Sequence, residues 1–378
     1  MFRDVRMRGF KRRASVEEAV AWVDALPSRV PTERRPLATA PGRILAADLV
    51  SDVDVPAFRR AAMDGWALRA EETFGATEND AIVLRVVGTA LPGRPHGGTV
   101  EQGQAVRIMT GAAVPDGVDS ILRAEEGRQV EGELQVRAAV PVGKHVGQVG
   151  EDIRAGRVVL SRGRRLRPQD VGLASSIGHA ELVVSGRPRV QLIATGDEVL
   201  PEGSQPDGVN IVDSNTPMLR ALVERDGGTL SQAAILPDDE PVVRRAFEAA
   251  SADLVLVTGG SSVGEEDHAP HVLSELGTLD FHGIAMRPAA PAGMGTIDGT
   301  PFFLLPGNPV SCLSAYDFFA GRLVRRAAGR DPDMPYVCVE RVLSRKIASV
   351  LGRVDYVRVR VDGERVEPVM ARGASILS

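Results

Sequence analysis

The stretch LVLVTGGSSVGEEDH, residues 254–268, begins as an uninterrupted apolar run and then breaks into glycines, serines and carboxylates. A short apolar run without polar alternation is typical of a strand that is covered on both faces of a parallel sheet. Ligands of open parallel sheets bind beyond the carboxyl ends of the strands, where loops lead into helix N-termini. The stretch therefore predicts a parallel α/β sheet with a ligand site at the rim that the strand ends form.

Strands and helices alternate on both sides of this stretch. The runs VQLIATG (190–196), TLSQAAIL (229–236) and FFLLPG (302–307) have strand character, and helical patterns lie between them. Such alternation is the pattern of a parallel sheet with helices on both faces. The predicted fold class is α/β multidomain, with a three-layer α/β/α domain of mostly parallel sheet across residues 179–330.

The rest of the chain predicts three further parts. Short β-rich runs separated by Gly, Pro and Asp occupy residues 49–140 and predict an inserted, mostly β domain. Residues 1–48 and 141–178 predict a helical and extended linking arm, in which a helical pattern runs from Ala14 to Ala47. The β-like runs beyond residue 330 predict a short C-terminal β domain, residues 331–378.

Composition narrows the class of protein. The 378 residues are 43% hydrophobic and 25% charged, as in soluble proteins that bury a core. A net charge of −5 means that the chain has no overall positive charge with which to bind the phosphate backbone of a nucleic acid. No apolar stretch approaches the roughly 20 residues that span a bilayer, so we expect no membrane association. The two cysteines, Cys312 and Cys338, form no CxxC pair and suit a reducing cytoplasm, which is the expected location.

Unusual loops follow three of the predicted strands: ATGDE (194–198), TGGSSVGEED (258–267) and LPGNPVS (305–311). Each loop alone is equally well explained as a tight strand-to-helix turn, but three at one rim favour a crevice for a phosphorylated ligand. Glycines let the backbone approach a phosphate, hydroxyls donate hydrogen bonds, and prolines stiffen a loop. The candidate substrate-binding residues in these loops are Thr195, Gly196, Gly259, Gly260, Ser261, Ser262, Gly264, Pro306, Asn308 and Pro309.

Carboxylates follow the same loops, at Asp197, Glu198, Glu265, Glu266 and Asp267. Acidic residues beside an anion site would repel the ligand unless a divalent cation lies between them. Mg²⁺ is therefore the expected cofactor. The chain has no GxGxxG at a strand end, no P-loop and no HExxH motif, which disfavours an ordinary dinucleotide enzyme, a P-loop NTPase and a zinc protease. We interpret His268 and His271 as surface residues.

Polar residues also occur in loops outside the α/β region. Asp64 stands in AAMDGWAL, Thr110 in RIMTGAAVP, and Glu151 and Asp152 in VGEDI. From the chemistry alone, each is best explained as a turn residue with a structural hydrogen bond. Polar loops on a separate β domain also suit one wall of a cleft whose other wall is the α/β rim.

Taken in order, these segments resemble the molybdopterin molybdenumtransferase family, the molybdenum insertases that include MoeA and the E domain of gephyrin. The resemblance runs from about Met7 to the C-terminus, and the ordered combination is more specific than any one motif. The matching motifs are AMDGWA (62–67), RIMTGAAVPDGVD (107–119), GEDIRAG (150–156), ATGDE (194–198), DSN (213–215), DLVLVTGGSSVGEED (253–267) and LPGNPVS (305–311).

The resemblance implies an elongated homodimer, with each active site between the β domain of one subunit and the α/β domain of the other. It implies that molybdate is inserted into the dithiolene of adenylylated molybdopterin with the help of Mg²⁺, which releases AMP and molybdenum cofactor. Molybdate is thus a substrate. A molybdopterin adenylyltransferase and apo-molybdoenzymes are the further partners that the resemblance suggests.

Position by position, the resemblance assigns catalytic roles to Asp64, Thr110, Glu198, Asp238 and Asp267. It assigns metal binding to Asp64, Glu198 and Asp267. Substrate contacts fall to Asp152 on the inserted-domain side, to Arg287, to Pro306 and Pro309 in a rigid loop, and to Ser375, which matches a serine linked with molybdate binding.

Two departures from the family pattern support an alternative function. The family's basic PGKP-type segment corresponds to AMRPAAP (285–291), where Arg287 keeps the first basic position and Ala290 replaces the second. The C-terminal domain is also short. The alternative is a catalytically weakened paralogue that acts as a pterin-binding carrier or scaffold. An adenylyltransferase of the same pathway would share the α/β core, but it would not explain the AMDG, RIMTG and GED segments.

Overall fold

The computed structural model describes residues 13–28, 30–260 and 267–369. These residues form two compact units. The α/β unit contains the chain up to Arg35, Gly42–Ala46 and the chain from Val183 onward, and the β unit contains Pro36–Pro41 and Ala47–Leu182. Within the described ranges, no helix has the length and apolar character needed to cross a membrane. The four domain boundaries proposed from the sequence stay predictions.

The helices are short and lie mainly in the α/β unit. The α-helices are α1 (Val16–Ala25), α2 (Pro168–Ser176), α3 (Asn215–Asp226), α4 (Glu240–Glu248), α5 (Ala269–Leu276), α6 (Pro309–Ala315) and α7 (Gly321–Ala327). A π-helical turn, Tyr316–Ala320, joins α6 to α7. Turns of 3₁₀-helix cover Leu37–Thr39, Ala70–Thr73 and Ala124–Glu126.

The strands are numbered in chain order. The strands that begin before residue 183 are β1 (Thr32–Pro36), β2 (Leu49–Val50), β3 (Arg60–Ala61), β4 (Gly65–Leu68), β5 (Ile82–Ala90), β6 (Gln104–Ile108), β7 (Ser120–Arg123), β8 (Gly127–Val130), β9 (Glu133–Val136), β10 (Val146–Gly147), β11 (Val158–Leu160) and β12 (Glu181–Ser185). The later strands are β13 (Arg189–Thr195), β14 (Val199–Leu200), β15 (Ile211–Val212), β16 (Thr229–Leu236), β17 (Leu254–Thr258), β18 (Thr278–His282), β19 (Met286–Arg287), β20 (Gly293–Ile297), β21 (Thr300–Leu305), β22 (Val342–Leu343), β23 (Val354–Asp355), β24 (Val359–Asp362) and β25 (Arg365–Pro368).

The central sheet of the α/β unit has the strand order β16-β13-β17-β21-β20-β18. Its first four strands are parallel, and β20 and β18 are antiparallel to their neighbours. Neighbouring residues of one strand enter opposite cores because strand side chains alternate. Leu192 and Phe303 pack with α1, α3 and α7, whereas Ile193 and Phe302 pack with α4 and α5. The predicted three-layer, mostly parallel domain is confirmed.

The predicted helix over Ala14–Ala47 is wrong beyond Ala25. Helix α1 begins at a capping box in which the Ser15 side chain accepts from the Glu18 amide, and the Glu18 carboxylate accepts from the Ser15 amide. It ends just before Pro27, and strand β1 follows. Prolines at 27, 31 and 36 lack the N–H that a helix interior requires, so they override the apolar spacing.

The main sheet of the β unit has the order β7-β4-β6-β5-β9-β8. Residues of β4 alternate between two cores, because Ala67 packs with Ile108 on one face and Trp66 packs with Leu134 on the other. Strand β4 is antiparallel to β6, with Gly65 opposite Ile108. This register places the residue before β4 and the residues just after β6 at one edge of the sheet.

Charged residues form a buried ionic cluster in the α/β unit, made of Arg225, Asp226, Asp317, Arg325 and Tyr336. The side chains of Asp226 and Asp317 are 0% exposed, and that of Arg325 is 3% exposed. Arg325 pairs with Asp226 at 2.8 Å, Arg225 pairs with Asp317 at 2.7 Å, and the Tyr336 hydroxyl donates to Asp317 at 2.7 Å. The cluster therefore fastens α3, the π-helical turn, α7 and the segment after α7 to one another.

The segment after the cluster forms a small β structure. Strand β25 lies between β22, which is parallel to it, and β24, which is antiparallel. Strand β23 pairs instead with β19, so that Met286 lies opposite Val354 and Arg287 opposite Asp355. This pairing brings the chain near residue 355 alongside the segment that contains Arg287.

Candidate functional site

Three strand ends meet at one rim of the α/β sheet. Ala194 pairs with Thr258, and Thr258 pairs with Leu305, in neighbouring parallel strands. The loops that follow β13, β17 and β21 therefore leave the sheet side by side. Gly307 and Gly259 are close, since a Cβ added to Gly307 would lie 3.6 Å from the Gly259 Cα. The ATGDE, TGG and LPGNP segments identified in the sequence thus form one surface.

Two glycines let the turn after β17 lie directly against the end of β13. Gly259 and Gly260 have φ angles of +84° and +53°, in the left-handed region that favours glycine. A Cβ on Gly259 would lie 2.1 Å from the Thr195 carbonyl oxygen, and one on Gly260 would lie 2.7 Å from the Thr195 Oγ1. Neither position has room for a side chain. Thr195 itself is buried beneath the turn.

We expect Gly259→Ala to destabilise the α/β unit by more than the ~1–3 kcal/mol cost of the backbone conformation alone, because the added methyl also meets the Thr195 carbonyl. Urea unfolding measures the loss. Gly203→Ala is the matched control, since Gly203 has a similar φ of +87° but open space around its Cβ position. Equal losses in the two variants would show that the contact with Thr195 does not matter.

Three acidic residues are neighbours where the loops after β13 and β16 meet, although their carboxylate oxygens are not all within 4.8 Å of one another. They are Asp197, Glu198 and Asp238, here called the acidic group. The Asp238 amide donates to the Asp197 carboxylate at 3.2 Å. Burial raises the pKa of Asp238, and the charges of Glu198 and Asp197 raise it further, although hydrogen bonds from the Asp197 backbone and the Thr195 hydroxyl act in the opposite direction. A partly buried acid beside two other acids is a favourable position for a cation.

Mg²⁺ suits the acidic group because it prefers carboxylate oxygens and water as ligands. Of the three residues predicted to bind metal, Glu198 belongs to this group and Asp267 lies just before α5. Asp64 lies in the β unit. Several predicted positions lie outside the described residues: Ser261, Ser262, Gly264, the acids Glu265 and Glu266, and Ser375.

A cavity of about 620 Å³ lies beside the loop after β21. Pro306, Asn308 and Ser311 line it on one side, and the segment Met286–Pro291, which includes Arg287 and Ala290, lines it on another. Pro309 is the first residue of α6. The C-terminal β segment completes the lining.

The lining of this cavity is rich in cations. Besides Arg287, the basic residues are Arg13, Arg345, Lys346, Arg353 and Arg358. Asp355 is the acidic residue of the lining, and Arg353 donates to it at 2.9 Å. Arg353 lowers the pKa of Asp355, with a smaller contribution from the charge of Arg287. The cavity therefore has an excess of positive charge, to which Arg345 and Lys346 contribute although Ala290 carries no charge.

Asp64 and Thr110 form a hydrogen-bonded pair at one edge of the main sheet of the β unit. The Thr110 amide and the Thr110 hydroxyl both donate to the Asp64 Oδ1, each at 2.7 Å. These two bonds, the backbone one first, lower the pKa of Asp64. The side chain of Asp64 is exposed. The pair therefore presents an ionised carboxylate to solvent.

Two shallow clefts of the β unit contain other predicted residues. Thr110 lines one cleft with Arg60 and Glu151, which pair at 3.0 Å. Asp152 lines the second cleft with Arg154 and Glu151. Glu151 thus borders both clefts, and its pKa is lowered by the Gln148 amide and then by Arg60.

Comparison with known proteins identifies the family. Residues 14–178 match the model described as MoeA N-terminal region (domain I and II), and residues 191–326 match that described as Probable molybdopterin binding domain. The molybdopterin molybdenumtransferase 2 of Mycobacterium tuberculosis is 35% identical over 339 residues, which are 86% of this chain and 82% of that protein. The chain belongs to the molybdopterin molybdenumtransferase family. The molybdopterin molybdenumtransferase of Haemophilus influenzae is 32% identical over 339 residues, 89% of this chain and 83% of that protein.

Solved structures agree with membership of this family. The MoeA molybdopterin biosynthesis protein of Pyrococcus horikoshii superimposes with a TM-score of 0.84 at 32% identity, covering 95% of this chain and 90% of that one. A molybdenum cofactor biosynthesis protein of Pyrococcus furiosus, with a TM-score of 0.57 at 23% identity, shares the fold.

One buried residue at the rim of this molybdenumtransferase was not among the predicted site residues. Asn215, the first residue of α3, donates from its side-chain amide to the Thr258 Oγ1 at 2.9 Å and to the Gly307 carbonyl at 2.7 Å. It stands in the DSN motif, which served only as a marker of the family. The DSN motif could have pointed to Asn215, but the two hydrogen-bond partners of this residue are 43 and 92 residues away in the sequence.

A different set of side chains in the α/β unit has the composition of a metal site. Among the described residues, Glu240, His271 and Glu275 have possible ligand atoms within 4.8 Å of one another. Arg244 pairs with both glutamates. The guanidinium of Arg244 therefore offsets one of the two negative charges of this set, which does not include the residues predicted to bind metal.

Proposed function

We propose that the protein is an active molybdopterin molybdenumtransferase, which inserts molybdate into adenylylated molybdopterin with the help of Mg²⁺ and releases AMP and molybdenum cofactor. The observation that carries the proposal is the composition of the α/β rim. Glycine turns lie at the ends of β13 and β17, together with the acidic group, and a cationic cavity borders the loop after β21.

Each part of the rim suits a different part of the reaction. The cations of the cavity attract molybdate and phosphate, both of which are anions. The acidic group would hold Mg²⁺, which when bound neutralises the charge of the phosphoanhydride. The β unit supplies Asp64, whose carboxylate accepts two hydrogen bonds from Thr110 and provides a fixed negative charge for orienting water or the metal at the anhydride.

The charge of the cavity removes one of the two reasons for preferring the carrier or scaffold. The carrier alternative depended partly on Ala290, which removes a cation from the segment around Arg287. Arg345 and Lys346 line the same cavity and provide positive charge there. We further propose a cytoplasmic homodimer that exchanges substrate and product with a molybdopterin adenylyltransferase and apo-molybdoenzymes.

Reconstitution of an apo-molybdoenzyme tests the function. The purified protein is incubated with adenylylated molybdopterin, Mg²⁺ and low molybdate, and the activity of the added apo-enzyme reports the cofactor formed. We expect activity that depends on both the protein and molybdate. Tight binding of the pterin without cofactor formation would instead favour the carrier or scaffold, and would contradict the proposal.

We expect Mg²⁺ to raise the melting temperature of the protein by several degrees at a concentration well above its Kd, because a ligand that binds only the folded state stabilises it. Glu198→Gln and Asp238→Asn should each remove most of this shift, since each removes one carboxylate of the acidic group. Glu248→Gln, an exposed position on α4, is the matched control and should leave the shift intact. An equal shift in all four proteins would place the metal elsewhere.

The Mg²⁺ shift should also depend on pH. The raised pKa of Asp238 means that, without metal, its contribution favours the folded state at low pH and is lost as the pH rises through the folded pKa. Protons compete with the metal for this carboxylate. The shift should therefore shrink as the pH falls through the pKa of Asp238, and a shift that grows toward acid would contradict binding at this group.

A further inference from the structure

Asn215 joins the two loops that flank the centre of the α/β rim. One amide hydrogen of its side chain points to the Thr258 Oγ1, at the end of β17, and the other points to the Gly307 carbonyl, in the loop after β21. Only an amide or a cationic side chain offers two donors in this way. The residue is 8% exposed. Its bonds are therefore sheltered from water.

The backbone of Asn215 is fixed by hydrogen bonds to the Asp213 side chain. The Asp213 carboxylate accepts hydrogen bonds from the backbone amides of Asn215 and Thr216, at 2.9 and 3.0 Å. These bonds cap the first turn of α3, a helix of 12 residues whose Leu219 and Val223 are anchored in the core below the sheet. The side chain of Asn215 is thus held by a rigid element and not by a mobile loop.

The two loops contact each other where Asn215 joins them. The Gly259 turn lies against Gly307, and beneath it the Thr258 hydroxyl lies 4.0 Å from the Cys312 Sγ. Cys312 is fully buried, and burial raises the pKa of its thiol to about 12. Strands β17 and β21 are paired up to Thr258 and Leu305, and beyond that point the two hydrogen bonds of Asn215 join the loops that follow.

We propose that Asn215 is a positioning residue for the molybdenumtransferase reaction, and that it sets the distance between the Gly259 turn and the Gly307 loop so that both contact the phosphorylated pterin. This inference depends on the proposed function. Asn215 acts through the two loops and does not itself touch the reacting atoms. Its loss should therefore weaken the binding of substrate more than it slows the chemical step.

Steady-state kinetics of AMP release test this role. We expect Asn215→Ala and Asn215→Asp to raise the KM for adenylylated molybdopterin about tenfold while kcat stays within about threefold, as when binding common to the ground and transition states is lost. Asn215→Asp keeps the size of the side chain but removes both donors. Thr258→Val removes one acceptor and should raise KM by a smaller factor. Asn210→Ala is the control, because the side-chain amide of Asn210 donates to the exposed Asp207 carboxylate, away from both loops.

A purely structural role would lower the amount of active protein, so kcat would fall and KM would not change. That result would overturn the inference. Thiol reactivity provides a test that does not require activity. Exposed Cys338 should react with a thiol reagent at once in every protein, and buried Cys312 should react slowly in the wild type and at least tenfold faster in Asn215→Ala.

The two tests separate failure of the inference from failure of the proposed function. A wild-type protein that releases no AMP would contradict the proposed function, and the Cys312 rates would then show whether Asn215 holds the loops. An active wild type with an unchanged KM and an unchanged Cys312 rate in Asn215→Ala would reject the positioning role alone.

Discussion

Arg325→Met destabilises the α/β unit by about 3–5 kcal/mol, because Asp226 loses one of its two cations and Arg225 alone is left to balance the buried carboxylates of Asp226 and Asp317. The same substitution removes the hydrogen bond that Arg325 donates to the Asp317 carbonyl at 3.0 Å. Urea unfolding, followed by a probe of the α/β unit, measures the loss. The double variant Arg325→Met with Asp226→Leu should recover part of it, since no charge is then left unpaired.

The matched control is an exposed ion pair of the same unit. Arg189 and Asp253 lie 3.7 Å apart with side chains 57% and 38% exposed. Such pairs contribute about 0–1 kcal/mol, so Arg189→Met should change the free energy of unfolding little. A loss of less than about 1 kcal/mol for Arg325→Met would show that water or a rearranged neighbour compensates Asp226.

Asp64→Asn should lower the kcat/KM for AMP release about 100-fold or more, because it removes the ionised carboxylate of the β unit without changing its size. The two Thr110 bonds lower the pKa of Asp64 and orient its carboxylate, and the amide of Asn carries no charge. Thr110→Val, which removes the hydroxyl bond but keeps the backbone bond, should cause an intermediate loss. AMP release at saturating Mg²⁺ and molybdate is the measurement.

Asp80→Asn, in an exposed turn of the β unit, is the control for Asp64→Asn and should retain full activity. Circular dichroism should show the same fold for all these variants, since Asp64 is exposed and contributes to no core. Full activity of Asp64→Asn would remove this residue from the reaction, although it would leave the α/β rim as the site.

The parallel sheet could be predicted from sequence because its strands are continuous apolar runs, each followed by a glycine-rich or proline-rich loop. Parallel pairing then places those loops at one rim, as Ala194, Thr258 and Leu305 show. Asp64 and Thr110 were each predicted as site residues through the family resemblance. The geometry of the pair required the register between β4 and β6, which the sequence does not reveal.

Other features of the structure were not predicted from the sequence. The predicted helix over Ala14–Ala47 is wrong beyond Ala25, because the prolines at 27, 31 and 36 outweigh the apolar spacing. The cations Arg345 and Lys346 reach the cavity beside Arg287 through the pairing of β19 with β23. The amide of Asn215 finds its partners only when three strand ends are adjacent. For the cavity cations and for Asn215 the decisive interaction is tertiary, whereas the error over Ala14–Ala47 is local, because the prolines are visible in the sequence.

The central claim is that this protein couples loss of AMP to insertion of molybdenum. The most direct measurement is the ratio of AMP released to molybdenum bound in the pterin, followed with purified protein and adenylylated molybdopterin at increasing molybdate. We expect both products to appear together in a one-to-one ratio and neither to appear without molybdate. Release of AMP that does not depend on molybdate, or bound pterin that yields neither product, would contradict it.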